Sequence, residues 1–349
     1  VVHKKVYVEK NLWNCEDHIL HIQIGRQAEL MIIAPATANT IAKLAHGIAD
    51  NLLTLTALVI NCPLLIAPAM DAGMYIHSAT QENIKISEKR GIQFIGPAKG
   101  RLASGLEGKG RMVEPTEILQ RARWILAQGG PLHGKRIIVT AGGTREPLDP
   151  VRILTNRSSG KQGYAIAQAA LDAGAQVTLI TAPTNLTPPI GAEIKHVNTA
   201  AEMCHAVLNE INTAHALIMA AAVTDFRPKK IKTQKIKKEN NTNEIKLERT
   251  EDILAKVSEI KQKRNLKIKL VGFSAESQNV KINAHKKMKA KHLDMIVAND
   301  ITLPNAGFAT DTNQVALLFA DGRSESLPLM PKMAVAEKII TNLIEILYN

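Results

Sequence analysis

The chain has 349 residues and a formal net charge of +12, with 44 lysines and arginines against 32 acidic residues. This length exceeds one ordinary domain, and hydrophobic residues, at 45%, suffice for a sizeable core. Aromatic residues reach only 3%, which disfavours a protein that stacks single-stranded nucleic acid on rings. Three widely spaced cysteines and the lack of a membrane-length apolar stretch predict a reduced, cytoplasmic protein that binds small anions rather than nucleic acid or membrane.

The first half alternates apolar runs with helical patterns, which is typical of a parallel α/β sheet. The predicted strands are LMIIAPAT (30–37), PLLIAPAM (63–70) and IQFIGPAKG (92–100). The predicted helices cover 39–49, a stretch near 80–91, and one that starts after EPTE and ends near Ala127. A glycine-rich stretch, GRLASGLEGKGRM (100–112), carries no predicted element.

A glycine- and proline-bearing stretch, GGPLHGK (129–135), separates two periodic segments and predicts domains at 1–128 and 132–349. The alternation then restarts. Strands are predicted for RIIVTAGG, QVTLITAP, 214–222, KLVGFSAES (269–277) and LDMIVAND (293–300). Helices are predicted for GKQGYAIAQAALDAGA and 332–347, and a late hairpin around Asp321-Gly322. The fold class is therefore α/β, with two doubly wound domains built on parallel sheets.

Four polar segments of the second half suit an anionic ligand. SSGKQG (158–163) opens a helix and could hold a phosphate, although it is no P-loop and an ordinary strand-to-helix turn is the alternative. QKIKK (234–238) is either a solvated loop or a basic loop that closes over a triphosphate. Lys287 and Lys291 share a helix face and repel, which an anion would offset, unless they simply face water. Asp225 follows an apolar strand, where ligands bind, or caps a helix.

The first half has weaker signals. His21 is by default a core or surface histidine. The motifs APATANT and APAMDAGMY each place small residues and a polar side chain after a strand, where a cofactor could approach the backbone.

Taken in order, these motifs resemble one family, the bifunctional phosphopantothenoylcysteine decarboxylase / phosphopantothenate–cysteine ligase of coenzyme A biosynthesis. In the second half the resemblance is carried by AGGTREPLDPVR, TNRSSGKQGYAIA, AAAVTDFRP, KIKK, VGFSAE and IVAND. In the first half it is carried by HIQIG, APATANT, APAMDAGMY and ASGLEGKGRM. It implies a flavodoxin-like flavoprotein half followed by a Rossmann-like ligase half.

For the second half, the resemblance implies a ligase that uses CTP and Mg²⁺. The carboxylate of 4′-phosphopantothenate attacks the α-phosphate, and the amine of cysteine then displaces CMP from the acyl-cytidylate. Asn156 matches the asparagine that holds this intermediate, Lys235 the catalytic-loop lysine, and Arg152 an arginine for the anionic substrate. The implied CTP-binding positions are Met219, Ala220, Ala221, Asp225, Lys235, Glu251, Asp252, Ile253, Leu254, Phe273, Lys287 and Lys291, with the metal ligands unknown. Thr-Glu replaces the usual Asn-Pro before Asp252.

For the first half, the resemblance implies FMN bound near Thr37 and Asn39, with His21 as the active-site base. The implied reaction moves a hydride from the cysteine-derived carbon to the flavin, releases CO₂ and returns the hydride. Asp71 is the implied substrate-binding residue and Ser104 the implied catalytic residue of the final reduction.

Three departures from the family bear on that half. The chain starts after the family's first strand, glycine-containing loop and helix, so we expect weaker FMN binding. Asp71 replaces an asparagine and would repel the substrate carboxylate by about 4 kcal/mol at contact. Ser104 replaces a cysteine, and a hydroxyl is a far weaker acid than a thiol.

The leading hypothesis is an active ligase with a weakened decarboxylase. The alternatives are a fully bifunctional enzyme and a ligase with a non-catalytic, interaction-type flavoprotein half. A dinucleotide-dependent dehydrogenase is disfavoured because GxGxxG is absent from the sequence. The expected partners are small molecules, namely phosphopantothenate, CTP and cysteine. The resemblance also implies a homo-oligomer, with a ligase dimer and a decarboxylase trimer combining into a dodecamer.

Overall fold

The structure, a computed structural model, describes residues 5–14, 19–103, 105–236, 244–302 and 310–348. The chain divides into two compact units, residues 1–126 and 127–349. Among the described residues, no helix combines the length and the apolar character that crossing a membrane requires.

The first unit contains seven helices and five strands within its described part. They are α1 (Asn11–Asn14), α2 (Leu20–Gln27), β1 (Met31–Ala36), α3 (Ala38–His46), α4 (Leu52–Val59), β2 (Leu64–Pro68), α5 (Ala72–Ile76), α6 (Ser78–Lys89), β3 (Gln93–Phe94), β4 (Ala98–Arg101), β5 (Glu107–Arg111) and α7 (Pro115–Leu126). Strands β1, β2 and β3 form a parallel sheet in that order, while β4 and β5 pair as an antiparallel hairpin.

Burial explains which apolar runs became strands. All five residues of β2 are buried, which fits the centre of a sheet covered on both faces. The strands predicted at 30–37 and 63–70 are confirmed. The strand predicted at 92–100 is wrong in extent, because β3 ends at Phe94. Gly96, at φ 82°, and Pro97, which lacks an N–H, interrupt the run, and the chain restarts at Ala98 in the hairpin with β5.

The second unit contains the larger sheet. Its elements are a 3₁₀ turn (Ala127–Gly129), β6 (Arg136–Ala141), β7 (Arg145–Pro147), β8 (Ile153–Thr155), α8 (Lys161–Asp172), β9 (Gln176–Thr181), β10 (Glu193–His196), α9 (Ala200–Glu210), β11 (Ala216–Met219), β12 (Phe226–Pro228), β13 (Leu247–Arg249), α10 (Ile253–Arg264), β14 (Lys269–Glu276), α11 (Val280–Ala290), β15 (Met295–Asp300), β16 (Thr312–Asn313), β17 (Val315–Phe319), β18 (Ser324–Ser326), β19 (Met330–Pro331) and α12 (Lys332–Tyr348).

The main sheet has the order β10-β9-β6-β11-β14-β15-β17-β18. The strands from β10 to β15 are parallel, and β17 and β18 form the antiparallel hairpin predicted around Asp321-Gly322. A buried apolar cluster includes Ile138 and Leu217 from the sheet and Met203, Val257 and Met288 from α9, α10 and α11. Because six strands run in parallel, their carboxyl ends meet at one edge, where open α/β sheets bind ligands.

Several elements of this unit had no counterpart in the sequence prediction. These are β10, α9 and α10, together with two small hairpins, β7–β8 and β12–β13. The strand predicted at 214–222 ends at Met219, so the following residues form a loop at the carboxyl edge of the sheet.

Candidate functional site

Two loops at the carboxyl edge of the second unit are bonded to each other. The loop after β6 and the loop after β11 share a parallel bridge between Gly143 and Ala222. The Ala222 N–H donates to the Gly142 carbonyl at 2.9 Å, and the Thr144 N–H donates to the Ala222 carbonyl at 3.3 Å. The bonded loops therefore form one continuous edge along which a ligand can lie.

Asn156 joins this edge from the segment after β8. Its side-chain Nδ2 donates to the carbonyls of Val223, at 3.1 Å, and Ala222, at 3.4 Å. The preceding Thr155 hydroxyl donates to the Thr144 carbonyl at 2.7 Å. The side chain of Asn156 remains exposed, so a ligand can reach it. The structure thus brings Asn156 next to the predicted nucleotide-site segment that begins at Met219.

A buried polar network that the sequence analysis did not identify underlies these loops. The Thr224 N–H donates to the Thr144 hydroxyl at 2.9 Å, and the Thr224 hydroxyl donates to Glu146 Oε1 at 3.2 Å. Glu146 also accepts the Ala200 N–H at the start of α9, at 2.8 Å. Both threonines and the glutamate are buried, so the network fixes the loops from below. The sequence signal was a run of polar residues directly after a buried strand.

Arg152 and the segment that carries Lys235 are bonded to one another. The Arg152 guanidinium donates to the Ile236 carbonyl at 3.1 Å, and the buried Asp149 carboxylate accepts the Ile236 N–H, also at 3.1 Å. Burial opposes ionisation of Asp149, but backbone N–H donors and Arg152 outweigh it and lower its pKa. Lys235 itself is exposed. The described start of the lysine-rich loop is therefore attached to the rest of the unit; Lys237 and Lys238 lie outside the described residues.

Two lysines predicted to bind the nucleotide have internal partners. Lys287 Nζ donates to the Phe273 carbonyl at 2.7 Å, and Lys291 Nζ lies 2.7 Å from Asp252 Oδ2. Burial, and then the charge of Lys291, lowers the pKa of Lys287. The repulsion between the two lysines was expected to be offset by an anionic ligand; the structure offsets part of it with the carboxylate of Asp252.

Asp225 and Asp252 differ in role. Asp225 is exposed and directly precedes β12, so the helix-cap alternative is wrong for it. The charge of Asp225, like that of Asp252, acts to raise the pKa of Lys287 against the effect of burial. Asp252 is the residue that caps a helix: its Oδ1 accepts the Ala255 N–H of α10 at 3.0 Å. Burial opposes the ionised form of Asp252, whereas Lys291 and this N–H favour it. The net effect is a lowered pKa of Asp252.

Most of the apolar side chains predicted to line the nucleotide site are buried and cannot contact a ligand. The side chains of Met219, Ile253 and Leu254 are buried in the core cluster. The Ala221 N–H already donates to the Thr140 hydroxyl at 3.1 Å. Glu251 is exposed and pairs with Lys256 at 2.5 Å. At Met219, Ile253 and Leu254, therefore, only the backbone is available to a ligand.

In the first unit, the polar residues of APATANT lie at the carboxyl end of β1. Thr37 caps α3, and its hydroxyl accepts the Thr40 N–H at 3.3 Å. Asn39 is exposed in the first turn of α3. His21 is half-buried on α2, and its Nδ1 atom is buried with no hydrogen-bond partner among the described residues.

The glycine-rich hairpin packs against the substrate motif of the same unit. Gly110 lies so close to the turn before α5 that a Cβ atom would fall on the Met70 carbonyl, and a Cβ on Gly108 would come 2.6 Å from the Ala72 Cβ. Asp71 caps α5 through the Gly73 N–H, 2.9 Å from its Oδ1. The structure therefore joins APAMDAGMY to GLEGKGRM. Ser104, predicted to be catalytic, lies outside the described residues.

The described residues fit a flavin better than a preformed magnesium site. A hydroxyl and an amide at the start of α3 suit the carbonyl, N–H and phosphate groups of a flavin nucleotide. Across the described ranges, no group of three or more His, Cys, Asp or Glu side chains could hold a metal ion.

Comparisons with known proteins agree with this two-part organisation. Residues 1–124 match the family model Flavoprotein, and residues 132–347 match the model DNA/pantothenate metabolism flavoprotein C-terminal domain. The coenzyme A biosynthesis bifunctional protein CoaBC of Bacillus subtilis (strain 168) is 46% identical over 325 residues, covering 92% of this chain and 79% of its own length.

Two further relatives are informative. A cysteine/cysteine sulfinic acid decarboxylase from an unknown prokaryotic organism is 41% identical over 345 residues, covering 97% of this chain and 94% of its own. The crystal structure of the C-terminal domain of a coenzyme A biosynthesis bifunctional protein CoaBC is 40% identical, with a TM-score of 0.54, and covers 63% of this chain and 99% of that one. The fold and the matches define a flavoprotein with a second α/β domain. The chain belongs to the family of bifunctional coenzyme A biosynthesis proteins.

Proposed function

We propose that the second unit joins 4′-phosphopantothenate to cysteine at the expense of CTP, and that the first unit decarboxylates the product with FMN. The observation that supports the ligase best is the exposed amide of Asn156, held against the loop after β11 at the carboxyl edge of the sheet, together with two lysines, Lys287 and Lys291, that internal bonds hold in place. An exposed amide and cationic side chains are what a reaction between a carboxylate and a triphosphate requires.

Two displacement steps make up the proposed ligation. A carboxylate oxygen of phosphopantothenate attacks the α-phosphorus of CTP, the bond to the β-phosphate oxygen breaks, and pyrophosphate leaves. The amine of cysteine then attacks the acyl carbon, the acyl–oxygen bond breaks, and CMP leaves with the electron pair, while the amine loses a proton. The first step is needed because a carboxylate oxygen is a poor leaving group, whereas the same oxygen leaves readily as part of CMP.

The residues divide between these steps by their chemistry. Lys287 and Lys291 neutralise the triphosphate, and Lys235 stabilises charge as pyrophosphate departs. The amide of Asn156 stabilises the oxyanion that forms when the amine attacks, by turning to it the hydrogen that otherwise makes the longer, 3.4 Å bond to the Ala222 carbonyl. Arg152 holds the phosphate or the carboxylate of phosphopantothenate, since a guanidinium has five donors and its two protein acceptors leave others for an anion. Mg²⁺ is expected to enter with CTP.

In the first unit, FMN supplies a reversible hydride acceptor when it is bound. Thr37 and Asn39 would hold it at the start of α3. His21 is the proposed base, because it matches the family's active-site base and an imidazole can accept the proton that the substrate loses. Asp71 lies at a helix start, where the Gly73 N–H offsets part of its negative charge.

The ligase proposal is tested with purified chain, CTP, Mg²⁺, phosphopantothenate and cysteine. Pyrophosphate, CMP and phosphopantothenoylcysteine should form in equal amounts, and pyrophosphate alone should appear when cysteine is omitted. A chain that releases neither pyrophosphate nor CMP refutes the proposal. Flavin absorbance of the purified chain tests FMN binding, and a chain that stays colourless after incubation with FMN refutes that part.

Asp71 favours a second candidate substrate for the first unit. A carboxylate repels the α-carboxylate of either substrate, but it also attracts the α-ammonium group, which free cysteine carries and the acylated product of the ligase lacks. The relative that covers nearly the whole chain is a cysteine/cysteine sulfinic acid decarboxylase. Assaying CO₂ release from free cysteine and from phosphopantothenoylcysteine separates the two, and Asp71→Asn should shift the preference toward the latter. The alternative of a non-catalytic flavoprotein half predicts CO₂ from neither.

The assemblies implied by the family are proposed as well. A ligase dimer and a decarboxylase trimer give a dodecamer, which light scattering of the purified chain would measure. A monomeric mass at micromolar concentration would refute this part of the proposal without touching the chemistry.

A further inference from the structure

Asp149 is a buried carboxylate bonded to two exposed segments, the turn that carries Arg152 and the loop that carries Lys235. The residue is 3% exposed, and its two carboxylate oxygens accept hydrogen bonds from two segments of the chain. Oδ1 accepts the N–H groups of Val151, at 2.8 Å, and Arg152, at 2.9 Å. Oδ2 accepts the N–H of Ile236 at 3.1 Å and lies 3.5 Å from the Arg152 guanidinium. One carboxylate thus joins the turn of Arg152 to the end of the described lysine loop.

Ile236 is held at both of its backbone groups. Its N–H is bound by Asp149, and its carbonyl accepts the Nη2 donor of Arg152 at 3.1 Å. Four residues earlier, the Lys232 N–H donates to the Leu148 carbonyl at 3.0 Å. Lys235 therefore lies between two attachment points on the same turn, although the composition around it is that of a solvated loop.

We propose that Asp149 is the positioning residue of the ligase site, which sets the separation between the substrate-binding Arg152 and the loop lysine Lys235. The inference rests on the ligase function proposed above. Arg152 holds the anionic substrate, and Lys235 must meet the departing pyrophosphate of the same reaction. A displaced donor loses most of its effect on a transition state, because such catalysis depends on donors already in place. Asp149 touches neither substrate and acts through these two residues.

The Asp149→Asn variant separates this role from simple folding support. The asparagine oxygen can still accept the Val151 and Arg152 N–H groups, whereas its NH₂ group cannot accept the Ile236 N–H. Pyrophosphate release at saturating substrates should fall at least about tenfold, and the KM for phosphopantothenate should rise. The KM for CTP should rise less than the KM for phosphopantothenate, because Lys287 and Lys291 have separate partners and only Lys235 of the cationic CTP contacts is displaced. The Ile236 amide should exchange faster with deuterium.

The matched control is Asp321→Asn. Asp321 also accepts the N–H of an arginine two residues later, at 2.9 Å, and pairs with its guanidinium at 2.8 Å, but it lies exposed in the β17–β18 hairpin. This variant should keep the wild-type rate and both KM values. In an Arg152→Gln background, Asp149→Asn should cost clearly less than it does alone, because the two residues act as a unit.

Two results would overturn the inference. One is wild-type pyrophosphate release and a wild-type KM for phosphopantothenate in Asp149→Asn. The other is an equal rise of both KM values together with a lowered melting temperature, which marks a merely structural role. If Asp149→Asn does not fold, Ile236→Pro removes the donor and leaves the carboxylate, with Ile231→Pro as its control; wild-type turnover in Ile236→Pro overturns the inference. An inactive wild-type chain refutes the ligase proposal instead.

Discussion

Replacing Asn156 by alanine separates the two chemical steps. The substitution removes an amide that donates to backbone carbonyls at 3.1 and 3.4 Å. A hydrogen bond contributes about 1 kcal/mol net, and the longer one less, so the unfolding free energy should fall by about 1–2 kcal/mol. Loss of one donor to an oxyanion slows the step that forms it by about 10²–10³-fold. CMP release should therefore slow far more than stability loss explains, while pyrophosphate release continues and the acyl-cytidylate accumulates.

The assay follows both leaving groups by rapid quench, with urea denaturation as the stability measurement. Asn342→Ala is the matched control, since this amide of α12 also donates to two acceptors, the Lys338 carbonyl at 3.0 Å and Glu325 Oε2 of β18 at 3.1 Å. It should lose comparable stability and keep both rates. Equal slowing of pyrophosphate and CMP release in Asn156→Ala would refute the assigned role, as would an unchanged rate of CMP release.

Three further predictions follow from charge, burial and close packing. Lys291→Gln should raise the KM for CTP about tenfold at low salt, because a cation next to the triphosphate is lost, whereas Lys263→Gln on the exposed face of α10 should not. Burial and two neighbouring cations lower the pKa of His215 in the folded chain from its ordinary 6.5. As the pH falls, His215 therefore binds a proton in the unfolded chain before it does so in the folded chain. The free energy of unfolding, measured by urea denaturation, should be constant above about pH 6.5 as far as His215 is concerned, and should decrease below it. His215→Gln should remove the contribution of His215 to this decrease. Gly110→Ala should lower the melting temperature of the flavoprotein half measured by calorimetry, because the added Cβ would overlap the Met70 carbonyl oxygen.

The main strands could be predicted from the sequence because each is a continuous apolar run bounded by turn residues, as in β6 and β9. Shorter or half-polar elements could not. Helix α9 did have a usable signal, since Thr199 and Glu202 have capping-box spacing, and the Thr199 hydroxyl accepts the Glu202 N–H at 3.2 Å. The strand predicted at 92–100 ended early because Gly96-Pro97 interrupts it.

The candidate site was predictable only where its residues lie within contiguous motifs, as Arg152 and Asn156 do. Contacts between distant segments have no local pattern. The bond from Ile236 to Asp149 spans 87 residues, and the pairing of Lys291 with Asp252 depends on how α10 and α11 pack. The four-residue spacing of Lys287 and Lys291 indicated that a negative charge must offset their repulsion. It did not indicate that the carboxylate of Asp252 supplies this charge.

The central claim is that a carboxylate oxygen of phosphopantothenate attacks the α-phosphorus of CTP. It is tested most directly with phosphopantothenate labelled with ¹⁸O in its carboxylate, by mass spectrometry of the CMP and pyrophosphate released after one turnover with cysteine. The account predicts one labelled oxygen in CMP and none in pyrophosphate. Unlabelled CMP, or label in pyrophosphate, would contradict it.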